Sequence, residues 1–174
     1  MTTESLFPSS PSESSDPSGD VVRPVVELRE KHVYVEPGET ARVNLTVRNV
    51  SGIIETYDLT PMGPVTPWAS VLPSSVSLLP GEEESSTVSL RPPISSAVVA
   101  GEYILSVRAR SEVDARCMDT DEVRVTVSPF YRYDTDIART VFQARTRATA
   151  HLSITNRGNS MMTDAISAID PEGY

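Results

Sequence analysis

The sequence predicts an all-β sandwich, and three observations carry that prediction. Short runs that alternate apolar and polar residues recur from Val21 onward, which is the period of half-buried strands. Turn-forming residues separate these runs at intervals of about eight to twelve residues. No long window keeps the apolar spacing of an amphipathic helix, apart from an ambiguous stretch at 95–100. About seven or eight short strands without helices are typical of a sandwich.

The first strands follow directly from this alternation. Residues 25–29 and 32–36 read as an interrupted first strand, which ends at the Pro-Gly-Glu turn 37–39 because those residues favour turns. Residues 42–48 alternate without a break and form the second strand. Its apolar members share one face, and they are Val43, Leu45 and Val47.

The middle of the chain combines a returning strand with a proline-rich crossing. Residues 53–60 form a third strand after the turn at 49–52. The stretch 61–67 holds three prolines, and proline lacks the amide hydrogen that a strand ladder needs. We therefore predict a rigid crossing loop there, neither helix nor central strand. Strands resume at 69–72 and 76–79.

The last strands of the sandwich are the most regular. Residues 86–91 alternate and end at two prolines, with Val88 and Leu90 facing inward. A long strand at 101–110 places alternate residues on the core face, namely Tyr103, Leu105, Val107 and Ala109. A polar loop follows, and a final strand turns three valines inward, namely Val123, Val125 and Val127. We thus predict one complete sandwich domain over 21–128.

Residues 129–174 read as the opening strands of a second, truncated copy. Position 152 matches position 45, a shift of 107 that lays Leu152-Ser-Ile-Thr-Asn156 on Leu45-Thr-Val-Arg-Asn49. The same shift superposes three further pairs, namely Val141-Phe142 on Tyr34-Val35, Thr163 on Thr56 and Ile166 on Leu59. Because half a sandwich would leave an apolar face open, we expect the parent chain to continue past Tyr174.

The first 20 residues are rich in Ser and Pro and contain four acidic residues but no Lys or Arg. Such a segment cannot bury enough apolar surface to offset the entropy of ordering. We predict an acidic disordered tail over 1–20. A short docking peptide built on Leu6-Phe7-Pro8 is the alternative.

Composition excludes several classes of function. A net charge of −9 disfavours binding to nucleic acid or to anionic membrane surfaces. No apolar run approaches the roughly 20 residues of a membrane-spanning helix. A membrane anchor further along the parent chain is kept as an alternative. The N-terminus lacks the basic and apolar regions of a secretory signal, so a cytoplasmic location is expected. Cys117 is the single cysteine, which rules out a disulfide within the chain.

No group of residues points to catalysis, a cofactor or a metal. His32 and His151 are the only histidines and lack the neighbouring ligands that zinc requires. Cys117 reads as a loop cysteine, with a reactive thiol as the alternative. A polar loop holds the acids Asp114, Asp119, Asp121 and Glu122. It reads as solvated, with Ca²⁺ binding as the alternative, because the spacing of a preformed calcium loop is missing.

Two aromatic residues have positions of their own. Tyr103 begins the penultimate strand, where its ring should fill the core and its hydroxyl should bond to a nearby backbone group, as in a tyrosine corner. Trp68 lies between Pro67 and Ala69. We expect it to cover one end of the sandwich, and an exposed anchor for a partner or sugar is the alternative.

The run at 72–82, together with Pro92-Pro93 and the strand opening Gly101-Glu-Tyr103, resembles bacterial immunoglobulin-like domains of the NEW3 type. These are often found beside glycosidase catalytic domains. The resemblance covers about residues 25–128 well and 130–174 weakly, and it implies a fold without chemistry. Similar sequences that lack a secretion signal are associated with phage-tail-like contractile injection systems. There they look like accessory or membrane-attachment proteins.

We therefore expect a non-catalytic structural or protein-interaction module of a larger bacterial protein, with a protein partner and no cofactor. The alternative is an accessory carbohydrate-binding or glycosidase-associated domain. Glycan binding usually needs several coplanar aromatic rings, whereas the region around Trp68 offers one.

Overall fold

The computed structural model describes residues 21–138 and 149–167, which form two facing sheets and a separate two-stranded ribbon. The two sheets make an immunoglobulin-like β-sandwich, so the predicted fold class is confirmed. The predictions for the tail 1–20 and for Val141-Phe142 lie outside the described residues.

The strands are short and mostly antiparallel. In chain order they are β1 (Val25–Leu28), β2 (His32–Val35), β3 (Ala41–Arg48), β4 (Glu55–Met62), β5 (Ala69–Leu72), β6 (Ser75–Leu78), β7 (Glu83–Leu90), β8 (Gly101–Ser111), β9 (Met118–Val127), β10 (Tyr133–Ile137) and β11 (Leu152–Asn156). One sheet has the order β1-β3-β7-β5 and the other β2-β9-β8-β4-β6. Within these sheets only β2 and β9 run parallel.

The chain changes sheet at both sides of the sandwich. β1 belongs to the four-stranded sheet and β2 to the five-stranded sheet, and the same change occurs from β5 to β6. The sequence predicts the first of these as an interrupted strand. Both lateral edges are thereby shared between the layers, which limits the length of open strand edge.

The core is aliphatic and follows the predicted alternation. Val43, Leu45 and Val47 of β3 have no exposed surface. The same holds for Leu105, Val107 and Ala109 of β8, while the three inward valines of β9 are at most 1% exposed. Each fully buried Val or Leu side chain contributes roughly 1.5–3 kcal/mol, so the fold depends on burial.

The proline-rich crossing differs from the prediction. β4 continues through Pro61 to Met62 and pairs there with β8, and a 3-10 turn follows at Thr66–Trp68. β6 pairs only with the first half of β4, up to Asp58. The nitrogen of Leu59 bonds toward this side, to Ser74, and in a strand the nitrogen of Pro61 points the same way. The missing amide hydrogen therefore costs no ladder bond.

The acidic loop prediction is also wrong for most of its residues. β9 begins at Met118, so Asp119, Asp121 and Glu122 lie on a strand. The amides of Val26 and Leu28 point away from β3 and donate to Oδ2 of Asp119 at 3.0 Å and to Oδ2 of Asp121 at 2.7 Å. The two carboxylates thus close the outer edge of β1.

The ribbon formed by β10 and β11 lies beyond the other end of β9. Asn159 connects it to the sandwich, because its side-chain Oδ1 accepts from the amide of Phe130 and its backbone oxygen accepts from the amide of Ala100. Gly158 permits this close approach, since a Cβ there would lie 2.5 Å from the oxygen of Phe130. The ribbon residues Leu152 and Ile154 are 44% and 42% exposed.

Candidate functional site

The loop end of the sandwich, defined by the connections 49–54, 79–82 and 112–117 together with 21–24, holds the candidate site. A cavity of about 320 Å³ opens there. Its rim carries exposed apolar side chains, and its lining includes one buried acid. Its lining includes Val22, Ile53, Glu55, Val113, Asp114, Arg116 and Cys117.

Glu55 is the buried acid of this cavity. It begins β4 and takes an inward position in the alternation that continues with Tyr57, so that only 5% of its surface is exposed. Ser111 Oγ donates to Glu55 Oε2 at 2.5 Å. The same Oγ accepts from the amides of Val113 and Asp114. The hydroxyl is thus engaged in fixing the β8–β9 loop above the acid.

Asn49 organises the neighbouring turn. Its Nδ2 donates to the carbonyl oxygens of Ile53 and Leu78, and its Oδ1 accepts from the amide of Ser51 and from the hydroxyl of Tyr57. Both Asn49 and Tyr57 are buried. Burial and then the nearby charge of Glu55 raise the pKa of Tyr57 to about 12, so the phenol stays protonated and donates this bond.

Cys117 lies half-buried on the cavity wall. Burial raises the pKa of the Cys117 thiol, and the charges of Asp114 and Glu55 raise it further against the opposing effect of Arg116. Since the thiolate is the nucleophilic form, a raised pKa argues against the alternative of a reactive thiol. The prediction of a plain loop cysteine fits this environment.

Asp114 and Arg116 form an ion pair at the edge of the cavity. Arg116 Nη2 donates to Asp114 Oδ2 at 2.8 Å, and its Nε lies 3.1 and 3.2 Å from the two carboxylate oxygens. Hydrogen bonds from the side chain and the amide of Arg116 hold the pKa of Asp114 below its usual value. Asp114 therefore stays in the predicted loop, but it is paired rather than freely solvated.

The remaining candidates from the sequence lie far apart. His32 contacts Thr126 Oγ1 on the sheet surface, and His151 precedes β11. Within the ranges that the structure describes, no three side chains of His, Cys, Asp or Glu gather as a metal site would require. In the same ranges no helix is long and apolar enough to cross a membrane.

Tyr103 and Trp68 lie at the opposite end of the sandwich, which includes the connections 36–40, 63–68 and 91–100 and is here called the hairpin end. The hydroxyl of Tyr103 donates to the backbone oxygen of Val99 at 2.6 Å, which confirms the expected backbone bond. The expectation that its ring would fill the core is wrong, because Tyr103 lies near the start of β8, where the ring is only partly buried and packs against the core from outside. Trp68 packs edge-on against it with ring centroids 5.9 Å apart and contacts the core. Trp68 therefore covers one end of the sandwich, as expected.

Sequence reasoning missed Glu55 and the full set of contacts around Asn49. One signal was present, because Glu55 lies on the same face of the predicted strand as Tyr57 and Leu59. An acid at an inward position is rarely buried without a partner, so an acid on this face is unusual.

Comparisons with known proteins concern the sandwich. No protein-family model matches the sequence, and no curated protein matches it. A family 123 glycoside hydrolase from Clostridium perfringens is similar in structure, with a TM-score of 0.51 at 7% sequence identity over 62% of this chain. The match spans only 27% of that enzyme.

Two further solved structures match with lower scores. The ASH/PapD-like domain 7 of human CEP192 gives a TM-score of 0.39 at 16% identity, with 73% of this chain and 94% of that domain covered. The class 5 fimbriae chaperone CfaA gives 0.39 at 14% identity, with 78% and 68% covered. At such identities the likeness concerns the fold alone.

Proposed function

We propose that the chain is a non-catalytic structural or protein-interaction module of a larger bacterial protein. The observation that carries the proposal is the exposed apolar surface of the loop end. Ile53 is 58% exposed, Ile54 63% and Val113 75%, and Val22, Val50 and Leu79 are each 44–49% exposed. Clustered apolar side chains on a soluble domain are typical of a contact surface for another protein.

The contacts of the reactive side chains support the non-catalytic part of the proposal. Ser111 donates to an acid and accepts from two amides, so its oxygen is not poised for nucleophilic attack. The Cys117 thiol has a raised pKa. His32, which bonds to Thr126, lies on β2 of the sheet, away from the loop end.

The same proposal extends to the wider protein. We place the chain among NEW3-type immunoglobulin-like modules and propose an accessory or membrane-attachment part in a contractile injection system, in the cytoplasm. We also propose that residues 129–174 begin a second sandwich. Support comes from two asparagine turns with the same bonds: Asn49 bonds to Ser51 and Ile53, and Asn156 bonds to Gly158 and Ser160.

An accessory carbohydrate-binding domain is the second candidate, because the similar enzyme acts on glycolipid glycans. The packing of Trp68 against Tyr103 speaks against a flat sugar platform. Glycan-array binding that disappears in Trp68→Ala would favour this candidate over the first.

The test of the leading proposal compares three forms of the full chain immobilised on a resin. The loop-end variant carries Ile53→Ser and Val113→Ser. The control variant carries Leu72→Ser and Ile94→Ser, whose side chains are likewise more than half exposed. We expect proteins that bind the unchanged chain and the control but not the loop-end variant, and that rebind when purified. Identical binding by all three forms, or turnover of a glycoside by the chain, would contradict the proposal.

A further inference from the structure

The cavity at the loop end contains a carboxylate that lacks a cation. Only 5% of the surface of Glu55 is exposed to solvent. The hydrogen bond that its Oε2 accepts comes from the neutral hydroxyl of Ser111. Among the described residues, the ion pairs of the protein involve other acids. A buried charge without an opposite charge is costly, so a cation that reached Glu55 would be bound favourably.

The nearest arginine does not supply this cation. Arg116 lines the same cavity, but its guanidinium is held by both oxygens of Asp114 through Nε and Nη2. Such a two-oxygen pair is the strong form of this interaction. The cavity therefore keeps an acid in its lining while the positive charge at its edge is already paired.

We infer that the cavity receives a lysine side chain of the partner protein, with its ammonium group on Glu55 and its methylene stem against Val22, Ile53 and Val113. This inference deepens the proposed function, on which it rests. A volume of about 320 Å³ corresponds to roughly ten water molecules at about 30 Å³ each, which is ample for one lysine side chain.

The shape of the site favours lysine over arginine. Lysine combines an apolar stem with a compact charge, and the cavity combines apolar side chains with one buried acid, Glu55, while its second acid, Asp114, is paired with Arg116. Ser111 occupies one oxygen of Glu55. A guanidinium binds best to two carboxylate oxygens at once, whereas an ammonium group needs only one.

The test uses a lysine probe and the full chain. Nα-acetyl-lysine N-methylamide is titrated into the labelled protein and followed by amide chemical shifts, with the norleucine analogue as the uncharged control. We expect shifts at Ile53, Val113 and Cys117 with the lysine probe and much smaller shifts with the norleucine probe. In Glu55→Gln we expect affinity to fall by about tenfold or more, equivalent to about 1.4 kcal/mol.

Glu102→Gln is the matched control, since it removes one exposed acid at the far end of β8; it should bind the lysine probe like the unchanged chain. Equal binding of the norleucine probe, equal or tighter binding of the arginine analogue, or unaltered affinity in Glu55→Gln would overturn the inference. Should Glu55→Gln fail to fold, the alkylation rate of Cys117 in the unchanged chain decides. The lysine probe should slow it several-fold, and an unchanged rate would refute the site.

An experiment that refutes the lysine site can be distinguished from one that refutes the proposed interaction module. A partner that binds through the loop end but equally well to Glu55→Gln would leave the interaction module intact and remove the lysine site. Lysine-probe binding without any partner retained at the loop end would support the site and count against the module.

Discussion

Two strand pairs of this chain share one local geometry but differ in burial. β1 and β3 pair so that Leu28 lies opposite Leu45, and β10 and β11 pair so that Ile137 lies opposite Leu152. In each pair the second strand leads into an asparagine turn with the same two bonds. Yet Leu28 and Leu45 have no exposed surface, whereas Ile137 is 42% and Leu152 44% exposed.

The difference separates what local sequence determines from what packing determines. Alternation and an asparagine are enough to form the paired strands and the turn, because these depend on neighbouring residues. Burial of the apolar face needs a second sheet. The β1–β3 pair has one in the described structure, and burial of apolar surface is the main favourable term in folding.

Truncating the matched leucines tests this contrast with the largest expected effect. Leu45→Ala should lower the free energy of unfolding by about 4 kcal/mol, because it empties a fully packed site. Leu152→Ala should cost less than about 1 kcal/mol, since its side chain is already half in water. Urea unfolding followed by Trp68 fluorescence measures the first loss, and hydrogen exchange of the β11 amides measures the second. Equal losses would mean that the ribbon has a core of its own.

The two asparagines provide the next comparison. Asn49→Ala should cost about 3 kcal/mol, because it leaves two carbonyl oxygens and the buried hydroxyl of Tyr57 without partners. Asn156→Ala should cost about 0.5–1 kcal/mol, because the side chain of Asn156 makes only local bonds at an exposed turn. Urea unfolding measures the loss in Asn49→Ala, and hydrogen exchange of the β11 amides measures the loss in Asn156→Ala. A loss above about 2 kcal/mol for Asn156→Ala would contradict the account.

The edge of β1 predicts a dependence on pH. Burial disfavours the charged form of Asp121, but hydrogen bonds from Lys31 and from the amides of Leu28 and Glu122 outweigh it and lower its pKa. A lowered pKa in the folded chain stabilises the fold above the unfolded value near 3.9. This contribution is lost as the pH falls through the folded pKa.

We expect Asp121→Ala to lose about 2 kcal/mol at pH 7, because the Leu28 amide is left unpaired. The loss should shrink as the pH falls from 5 toward 2. Thr120→Ala, an exposed neighbour on the same strand, is the control. A loss in Asp121→Ala that stays constant over this pH range would show that the charge is not involved.

How much of this could be predicted from the sequence depends on the distance between the partners. The burial of Val43 and Leu45 follows from alternation within one strand. The strand position of Asp119 and Asp121 does not, because acids usually mark loops and the amides that they cap lie 93 positions away in the chain.

Glu55 and Pro61 have the same explanation. Alternation placed Glu55 inward, but only Ser111, 56 positions on, makes an acid tolerable there. A proline is acceptable in β4 because β6 ends short of it. In both cases the reason lies in a neighbouring strand, so the sequence around Glu55 or Pro61 does not reveal it.

The smallest expected effect concerns the hairpin end. Tyr103→Phe should cost about 1 kcal/mol, the net contribution of one hydrogen bond. The hydroxyl of Tyr103 donates to Val99, and the amide of the next residue, Ala100, donates to the backbone oxygen of Asn159. Thermal melting of the purified chain measures it, with Tyr34→Phe as the exposed control. A melting temperature equal to that of the control would show that the hydrogen bond of the Tyr103 hydroxyl does not stabilise the fold.

Native-state hydrogen exchange tests most directly the claim that packing, rather than local geometry, stabilises this fold. The amides of Val43, Leu45 and Val47 in β3 should exchange only through global unfolding, with the free energy that urea unfolding gives. The amides of Ser153 and Thr155 in β11 should exchange through openings several kcal/mol cheaper. Equal protection of β3 and β11 would contradict the claim.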